Sequence, residues 1–380
     1  MNKEKQKILF AVQGEGRGHL TQAITLYKML TEAGYDICCI MVGSSENRKL
    51  PDFFYANIQA PVIQYPSPNF VTDAKMKTIK IWPSIYKTAF RLGRYIKSVR
   101  LFRETVAKYK PDAIINFYEP IVGLSNLFKK PPCPVICVAH QYIYHHPDFE
   151  FPEGRLMDRM SLKNFTELTA FGATKRLGIS IYPLENYPGK NIIIVPPLLR
   201  EAVFEANVSE GDYLLIYLLN KGYSDDIIAW HNAHPETELH CFTDRTDVDD
   251  VLKYDDTLHF HKINDKKFLD LMAGAKGFIS TAGFESVCEA MYLGKPVLMV
   301  PVEGHFEQFC NSRDATKAGA GIYDSAFNIS KLIDYLPNHH TNYKEYRLWV
   351  NCASIKVVEE INKTLGGGKM VEEAKMRKLA

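Results

Sequence analysis

Long apolar runs are missing from this 380-residue sequence, and none approaches the ~20 residues that a membrane-spanning helix needs. The charged N-terminal segment contains no signal peptide, so we expect a cytoplasmic protein. A strong charge of one sign is also absent, because 46 basic and 44 acidic residues leave a formal net charge of +2. A chain this close to neutral has no overall field that would attract nucleic acid.

The eight cysteines form no recognisable disulfide or metal pattern. Most lie singly in apolar runs, where a thiol behaves as a small hydrophobic side chain. Cys133 and Cys137 are separated by a segment that contains Pro134, and no second pair follows nearby. This spacing argues against zinc, and we expect reduced thiols and no bound metal.

Strand and helix patterns alternate along most of the chain, which is typical of an α/β fold with parallel sheets. The length favours two domains. One alternating series fills residues 1–200, and a second begins after a proline-containing linker and fills 201–365. We expect residues 366–380, which begin with glycines, to form a flexible tail.

A buried strand, Lys7 to Val12, leads into a turn that contains Gly14, Gly16 and Gly18 and ends at His19. An amphipathic helix follows. The glycine spacing differs from the dinucleotide-binding fingerprint, and no acidic residue ends the next strand. The pattern therefore disfavours a dinucleotide cofactor.

His19 is the first candidate catalytic residue. It follows a strand-to-helix turn at the carboxyl edge, where open α/β sheets bind ligands. An imidazole with a pKa near ~6.5 can take a proton from a hydroxyl at neutral pH. A structural histidine is the alternative, and we favour the catalytic base. Glu119, after a strand predicted at Pro111 to Phe117, could orient His19 or cap the following helix.

A basic segment covers residues 73–110, where lysine and arginine greatly outnumber acidic residues. Several of the basic residues recur at helical spacing. The segment could be the solvated face of a helix, or it could contact an anionic membrane or acceptor. The sequence leaves both interpretations open.

The most informative stretch runs from Phe278 to Asn311. It predicts a strand, a small-residue turn, a helix from about Phe284 to Leu293, and a second strand from Val297 to Val300, which together form a βαβ unit. A phosphate binds well at such a turn, because free N–H groups and the positive end of the helix dipole meet there. Glu289 on the helix and a Glu307–Gln308 pair in the following loop suit sugar hydroxyls.

This stretch resembles the donor-binding signature of inverting GT-B glycosyltransferases. These enzymes include the UDP-glycosyltransferase superfamily and the bacterial N-acetylglucosaminyltransferases that act on lipid-linked acceptors. The glycine turn ending in His19 resembles their acceptor-side motif. The residues that carry the donor resemblance are Thr281, Gly283, Ser286, Glu289, Ala290, Gly294, Pro296, Glu307, Gln308 and Asn311.

The resemblance implies two Rossmann-like, doubly wound domains that face each other across a cleft. The 1–200 domain would bind the acceptor and the 201–365 domain the nucleotide sugar. By this resemblance, Gly283 and Ser286 would contact the diphosphate, and Glu289 would contact the ribose. Glu307 and Gln308 would contact the transferred sugar, and His19 would be the base.

Two positions depart from the signature. Its first position is usually histidine, and here it is Thr281, which supplies a hydroxyl donor without positive charge. Glu285 stands where an amide or small residue is usual, and a carboxylate near a diphosphate would be repulsive unless it turns away.

The implied reaction moves a sugar from a nucleotide diphosphate sugar to an acceptor hydroxyl with inversion, without metal or cofactor. UDP is the expected nucleotide. Retaining relatives carry a pair of glutamates at a spacing that this region lacks. Asp247 and Asp249 resemble the metal-binding D-x-D motif of another glycosyltransferase fold, but they lie in an acidic run that is typical of a solvated loop.

The acceptor side is less defined by the sequence. The sequence does not name the acceptor; the resemblance to the bacterial enzymes allows a lipid-linked or polysaccharide precursor, and 73–110 could then contact the inner membrane face. Two alternatives remain open: a nucleotide-sugar epimerase of the same architecture, and a non-catalytic sugar-nucleotide-binding protein. The latter would keep Glu289 and Gln308 but would not need His19.

Overall fold

A computed structural model describes residues 5–45, 48–68, 71–72, 79–80, 92–217, 223–243, 251–341 and 343–366. Asp247 and Asp249, much of the basic segment and nearly all of the expected tail lie outside the described residues.

Two seven-stranded sheets organise the molecule. The first has the order β3-β2-β1-β6-β7-β8-β9, and all its neighbours are parallel. A short antiparallel pair, β4 with β5, lies apart from it. The strands of the first half are β1 Lys7–Gln13, β2 Asp36–Ser44, β3 Val62–Pro66, β4 Val71–Thr72, β5 Ile79–Lys80, β6 Ala113–Phe117, β7 Val135–Ala139, β8 Lys175–Ile179 and β9 Ile192–Val195.

The second sheet has the order β12-β13-β11-β10-β14-β15-β16. It is parallel except at its β12 edge, where β12 and β13 are antiparallel. Its strands are β10 Tyr213–Tyr217, β11 Glu238–Thr243, β12 Val251–Lys253, β13 Leu258–Lys262, β14 Gly277–Ser280, β15 Val297–Met299 and β16 Gly321–Tyr323.

Helices cover the faces of both sheets. The helices are α1 Arg17–Glu32, α2 Asp52–Ala56, α3 Leu92–Tyr109, α4 Pro120–Phe128, α5 Leu156–Thr169, α6 Glu201–Phe204, α7 Ser224–Ala233, α8 Asp265–Gly274, α9 Phe284–Tyr292, α10 Phe306–Lys317, α11 Ile329–Tyr335, α12 Tyr343–Asn351 and α13 Ala353–Thr364. Short 3₁₀ segments are His140–His145, Pro188–Lys190 and Leu336–Asn338. Among these described helices, none combines the length and the apolar character that crossing a bilayer requires.

Strand composition explains the parallel architecture. β1, β6 and β7 are nearly continuous Val, Ile, Leu and Phe runs, and they are buried along almost their whole length. Strands buried on both faces require helices on both sides of the sheet, which the crossover connections supply. The α/β fold expected from the alternating pattern and the doubly wound sheets implied by the resemblance are both confirmed.

The strand order changes direction at one place in each sheet. In the first sheet β1 and β6 are neighbours, and in the second β10 and β14 are neighbours. Loops that leave two such strands diverge, so a crevice opens at their carboxyl ends, where open α/β sheets bind ligands. The turns before α1, α4 and α9 lie at these two positions.

Several predicted elements shift in the structure. The apolar pattern predicts a strand from Ile179 to Tyr182, and the structure instead has β8 at Lys175–Ile179. Four prolines predict a loop-rich interval over residues 43–72, which contains β3 in the structure. β3 is an edge strand that ends at Pro66, and edge strands tolerate proline and carry a weak apolar pattern. The prediction of a polar loop around Glu307 and Gln308 is also wrong, because α10 already begins at Phe306.

The last helix returns to the first half. Ala353, Val357 and Ile361 of α13 pack into the core around the first sheet. The Tyr35 hydroxyl donates to Asn362, and Lys175 Nζ lies 2.7 Å from Glu360 Oε2. Although α13 lies within residues 201–365, it completes the core of the other sheet and adds a second covalent crossing between the halves.

The crossing of α4 and α5 depends on a glycine. A Cβ at Gly123 would lie 1.7 Å from the Leu168 carbonyl oxygen, so any larger residue must push the helices apart. We expect Gly123→Ala to lower the free energy of unfolding by about 1–3 kcal/mol in urea titrations. Gly93→Ala in α3 is the matched control, since no described heavy atom lies within 4 Å of its added methyl. It should be neutral or raise stability by up to about 1 kcal/mol, and equal losses in both variants would contradict the tight crossing.

Candidate active site

Two strand-to-helix turns face each other between the sheets. One leads from β1 into α1, and the other leads from β14 into α9. The Gln22 side chain of α1 donates a hydrogen bond to the Glu285 carboxyl of α9. The His140 ring, which follows β7, stacks on Phe284 with ring centroids 3.9 Å apart. The N-terminal turns of α1 and α9 therefore meet across a closed cleft.

His19 lies in the first turn of α1. Its Nδ1 is 3.4 Å from Gln22 Oε1, and its ring stacks on Tyr118 with centroids 5.5 Å apart. Burial lowers the pKa of His19 to about 4, because a charged imidazolium would lose its hydration. The imidazole is therefore neutral at pH 7.

Glu119 does not take the expected place beside His19. Its Oε1 accepts hydrogen bonds from Ile121 N at 3.0 Å and from Ser67 Oγ at 2.6 Å, so it caps α4. Among the described residues, His19 instead has Gln22 as its hydrogen-bond partner. Close backbone packing encloses the carboxyl group, since a Cβ on Gly43 would lie 2.1 Å from Glu119 Oε2. The sequence had left capping open as the alternative, and the structure selects it.

Backbone strain occurs in the turn before α9 and next to His19. Ala282, just before α9, and Tyr118, just after β6, have φ angles of 59° and 60°, a left-handed conformation that side-chain-bearing residues rarely adopt. The Tyr118 ring contacts His19. Such strain is held by surrounding packing and clusters at functional sites.

The small-residue turn leads into the uncapped N-terminus of α9. Gly283 is the N-cap of α9 without a side-chain cap, so the first N–H groups of the helix have no intrahelical partner. Thr281 is fully buried and its Oγ1 has no hydrogen-bond partner among the described residues. Ser286 Oγ donates to the Gly283 carbonyl at 3.2 Å. This leaves several donors at the positive end of a helix dipole.

Glu285 lies at this turn with an altered charge state. Burial and the neighbouring Glu289 charge raise the pKa of Glu285 to about 8, while the hydrogen bond from Gln22 and the Arg200 charge lower it. The carboxyl is therefore largely neutral at pH 7. Neutrality removes most of the repulsion that the sequence predicted between Glu285 and a diphosphate.

Glu289 is paired with an arginine that the sequence did not indicate. Arg200 Nε and Nη2 lie 2.6 and 2.8 Å from the two carboxylate oxygens of Glu289, which is 3% exposed. Arg200 Nη1 also lies 3.4 Å from the Asp265 carbonyl oxygen. Arg200 belongs to the linker between the halves, where one arginine among prolines and leucines carries no recognisable signal. It places a permanent positive charge beside α9.

Glu307 and Gln308 lie in the first turn of α10 and have different surroundings. Glu307 Oε1 accepts a hydrogen bond from Gln141 Nε2 of the first half at 2.8 Å, and burial raises its pKa. Gln308 Oε1 accepts from Val302 N at 2.9 Å, while His305 caps the helix through Gln308 N. Glu307 thus faces the opposite half, and Gln308 holds the preceding loop.

Further polar pairs close the cleft on either side. The Tyr144 hydroxyl donates to Asn311 Oδ1 at 2.9 Å, and the Tyr182 hydroxyl donates to Asp314 Oδ1 at 2.6 Å. Arg17 Nη1 lies 3.1 Å from Asp265 Oδ1. Within the described part of the chain, no cluster of three or more His, Cys, Asp or Glu side chains is arranged to hold a metal ion.

Comparison with known proteins agrees with this architecture. The family model for glycosyl transferase family 1 matches residues 6–338. A glycotransferase of kitacinnamycin has a TM-score of 0.64 at 14% identity, covering 95% of this chain and 99% of its own. The calicheamicin glycosyltransferase CalG4 has a TM-score of 0.63 at 14% identity, with 97% and 100% covered. A UDP-glucosyltransferase from Polygonum tinctorium has a TM-score of 0.64 at 13% identity, with 96% and 99% covered.

These comparisons establish the class. The two-sheet fold is that of the GT-B glycosyltransferases, as expected from the sequence. The chain belongs to glycosyl transferase family 1 and is a glycosyltransferase. No curated protein sequence matches it significantly.

The buried Glu119 gives the protein a pH-dependent stability. Burial raises its pKa from 4.5 to about 8, so between these pH values the unfolded chain ionises while the folded carboxyl stays protonated. This contribution to stability is complete below about pH 4.5 and is lost as the pH rises to 8. Glu119→Gln keeps the shape and cannot ionise. In urea unfolding at pH 5 to 8, the free energy of unfolding should therefore decline less steeply with pH, by up to roughly 1.4 kcal/mol per pH unit.

Glu153→Gln, at an exposed position, is the matched control and should leave the pH slope of the wild type intact. A residual slope is expected in Glu119→Gln, because Glu285 has a similarly raised pKa. A slope in Glu119→Gln as steep as that of the wild type would contradict the buried, neutral state of Glu119.

Proposed function

We propose that this glycosyltransferase transfers a sugar from a nucleotide diphosphate sugar to an acceptor hydroxyl with inversion, and that His19 is the general base. UDP is the proposed nucleotide. The observation that supports this most is the meeting of α1 and α9 across the cleft through Gln22 and Glu285. It brings a buried imidazole and a donor-rich helix N-terminus to one place.

The reaction is a single displacement. The acceptor hydroxyl gives its proton to His19 as its oxygen forms a bond to the anomeric carbon. The bond from that carbon to the diphosphate oxygen breaks on the opposite face, and its electron pair leaves with the nucleoside diphosphate. Attack opposite the leaving group inverts the anomeric centre. His19 is unprotonated at pH 7, so its free lone pair can accept this proton.

The leaving diphosphate needs stabilisation as its charge develops. The free N–H groups and dipole of α9, with the Thr281 and Ser286 hydroxyls, can supply it without a metal. Arg200 adds a fixed positive charge close to the same helix.

Glu289 is proposed to bind the ribose, and Glu307 with Gln308 the transferred sugar. A carboxylate has about four lone-pair sites, so Arg200 can orient Glu289 while ribose hydroxyls also donate to it. The hydrogen bond from Gln141 to Glu307 places a residue of the first half against the proposed sugar pocket. Donor and acceptor halves would therefore both shape that pocket.

The identity of the donor and acceptor is proposed from relatives. A solved structure of similar fold is described as Phytolacca americana UGT2 with UDP-2fluoro-glucose and pterostilbene, which supports a UDP-linked donor. A lipid-linked or polysaccharide precursor remains our proposed acceptor, with the protein in the cytoplasm at the inner membrane face. In the described part of the basic segment, α3 buries Tyr95, Val99 and Phe102 and exposes Lys97 and other basic side chains. That face is available to an anionic surface.

His19→Ala tests the base. We expect loss of sugar transfer with nearly unchanged donor binding, because the imidazole removes a proton but does not hold the nucleotide. A panel of nucleotide sugars is first screened by thermal shift. UDP release is then measured with the stabilising donors, with and without candidate acceptors.

His234→Ala is the matched control, since its ring stacks on Trp230 in the second half, and it should retain activity. Transfer that survives in His19→Ala would refute the base assignment. A lack of stabilisation by every nucleotide sugar would refute the donor assignment. Interconversion of the donor sugar without an acceptor would favour the epimerase alternative.

A further inference from the structure

We propose that Gln22 is a positioning residue that fixes the tautomer of His19, and that it can do so only while Glu285 of the opposite half holds its amide. This inference rests on the proposed role of His19 as the base. It assigns a purpose to two residues that the donor and acceptor motifs leave unexplained. It also makes the base dependent on cleft closure.

Gln22 is buried and lies between His19 and Glu285. Gln22 follows His19 by three residues in α1, so both side chains lie on one face of the helix. Gln22 is 2% exposed, and its carboxamide uses both ends. Its Oε1 lies 3.4 Å from His19 Nδ1, and its Nε2 donates to Glu285 Oε1.

The orientation of the Gln22 amide follows from the chemistry of Glu285. In the structure Glu285 Oε1 accepts the hydrogen bond from the NH₂ group of Gln22, and Glu285 Oε2 is buried without a hydrogen-bond partner among the described residues. With Oε1 accepting, the NH₂ group of Gln22 faces Glu285. The amide oxygen of Gln22 therefore faces His19.

That oxygen decides where the imidazole hydrogen lies. An amide oxygen only accepts hydrogen bonds, so His19 Nδ1 must carry the hydrogen. The lone pair is then on Nε2, which is the nitrogen available to an acceptor hydroxyl. Without the contact to Glu285, the Gln22 amide can rotate and present its NH₂ group to Nδ1, which would favour the other, unproductive tautomer.

The groups around the series of contacts from Glu285 through Gln22 to His19 are consistent with an orienting role. The Tyr118 ring stacks on His19, and His140 lies close enough that the charges of the two histidines affect each other. Arg200 and Glu289 act on Glu285 from the donor side. Because burial keeps His19 neutral, its tautomer rather than its charge is what a partner must set.

The consequence is a base prepared only in the closed state. The hydrogen bond between Gln22 and Glu285 joins residues 263 positions apart, on helices of different sheets. Separation of the halves must break it. The base would then lose its fixed tautomer whenever the cleft opens to exchange substrates.

Nitrogen NMR of the protein labelled at histidine tests the tautomer directly and needs no donor. The His19 signals are assigned by their loss in His19→Ala. We expect the Nδ1–H form in the wild type, and a mixed or Nε2–H form in Gln22→Met, which keeps the length of the side chain but cannot hydrogen bond in this way. Glu285→Leu should cause the same change from the other half, and Glu285→Gln should preserve the wild-type tautomer, since its amide oxygen can still accept.

Kinetics with the sugar nucleotide that gives the largest thermal shift provide the second readout. Gln22→Met should lower kcat by about 10- to 100-fold with little change in the donor KM. The double variant Gln22→Met with Glu285→Leu should be no slower than the slower single variant, because both break one chain of contacts. Ser330→Ala is the control: it removes a hydrogen bond within the second half, donated by Trp230 Nε1 at 2.9 Å, without touching His19. It should leave the tautomer and kcat unchanged.

An Nε2–H tautomer in the wild type, or an unchanged tautomer in both Gln22→Met and Glu285→Leu, would overturn the inference. If His19→Ala is inactive while the tautomer does not respond to these variants, this inference fails and the proposed function stands. If His19→Ala remains active, the base assignment itself fails.

Discussion

Burial of parallel strands is the constraint on which the rest of this structure depends. Strands enclosed on both faces must satisfy their backbone groups within the sheet and must return through crossover helices. Each helix then begins at the carboxyl edge of its sheet, where its N–H groups and dipole are exposed to the crevice. The turns that start α1 and α9 arise in this way, and the site exists because these two edges face each other.

Closing the cleft also removes water from its ionisable groups. Burial raises the pKa values of Glu119, Glu285 and Glu307 and lowers those of His19 and His140. Both effects favour the neutral forms of these groups. Charged pairs also join the halves, among them Arg17 with Asp265 and Arg200 with Glu289 at the proposed donor site. A neutral Glu285 would repel a bound diphosphate less than an ionised carboxylate would.

Two covalent crossings support this arrangement. The linker after β9 carries Arg200 to the donor helix, and α13 returns to the core of the first sheet through Val357 and Ile361. Polar pairs such as Tyr182 with Asp314 then join the facing surfaces. The halves are thus joined by two crossings of the chain and by hydrogen bonds between side chains. That combination suits an enzyme that must open and close around its substrates.

The sequence by itself determined the α/β class with parallel sheets, the strand-to-helix turn before His19 and the βαβ unit around Glu289. These features follow from apolar periodicity and glycine placement, which are properties of neighbouring residues in the chain. It did not reveal the edge strand β3, and it placed Glu307 in a loop, because edge strands and helix first turns carry weak local patterns.

Only the tertiary structure decided the partners of the site residues. Ser67 reaches Glu119 from 52 positions away, Arg200 reaches Glu289 from 89, and Gln22 reaches Glu285 from 263. Such contacts depend on how whole sheets and helices pack, and no local pattern records that packing. Burial, which sets the charge of His19 and Glu285, is likewise a property of the closed cleft and not of either residue in its own segment.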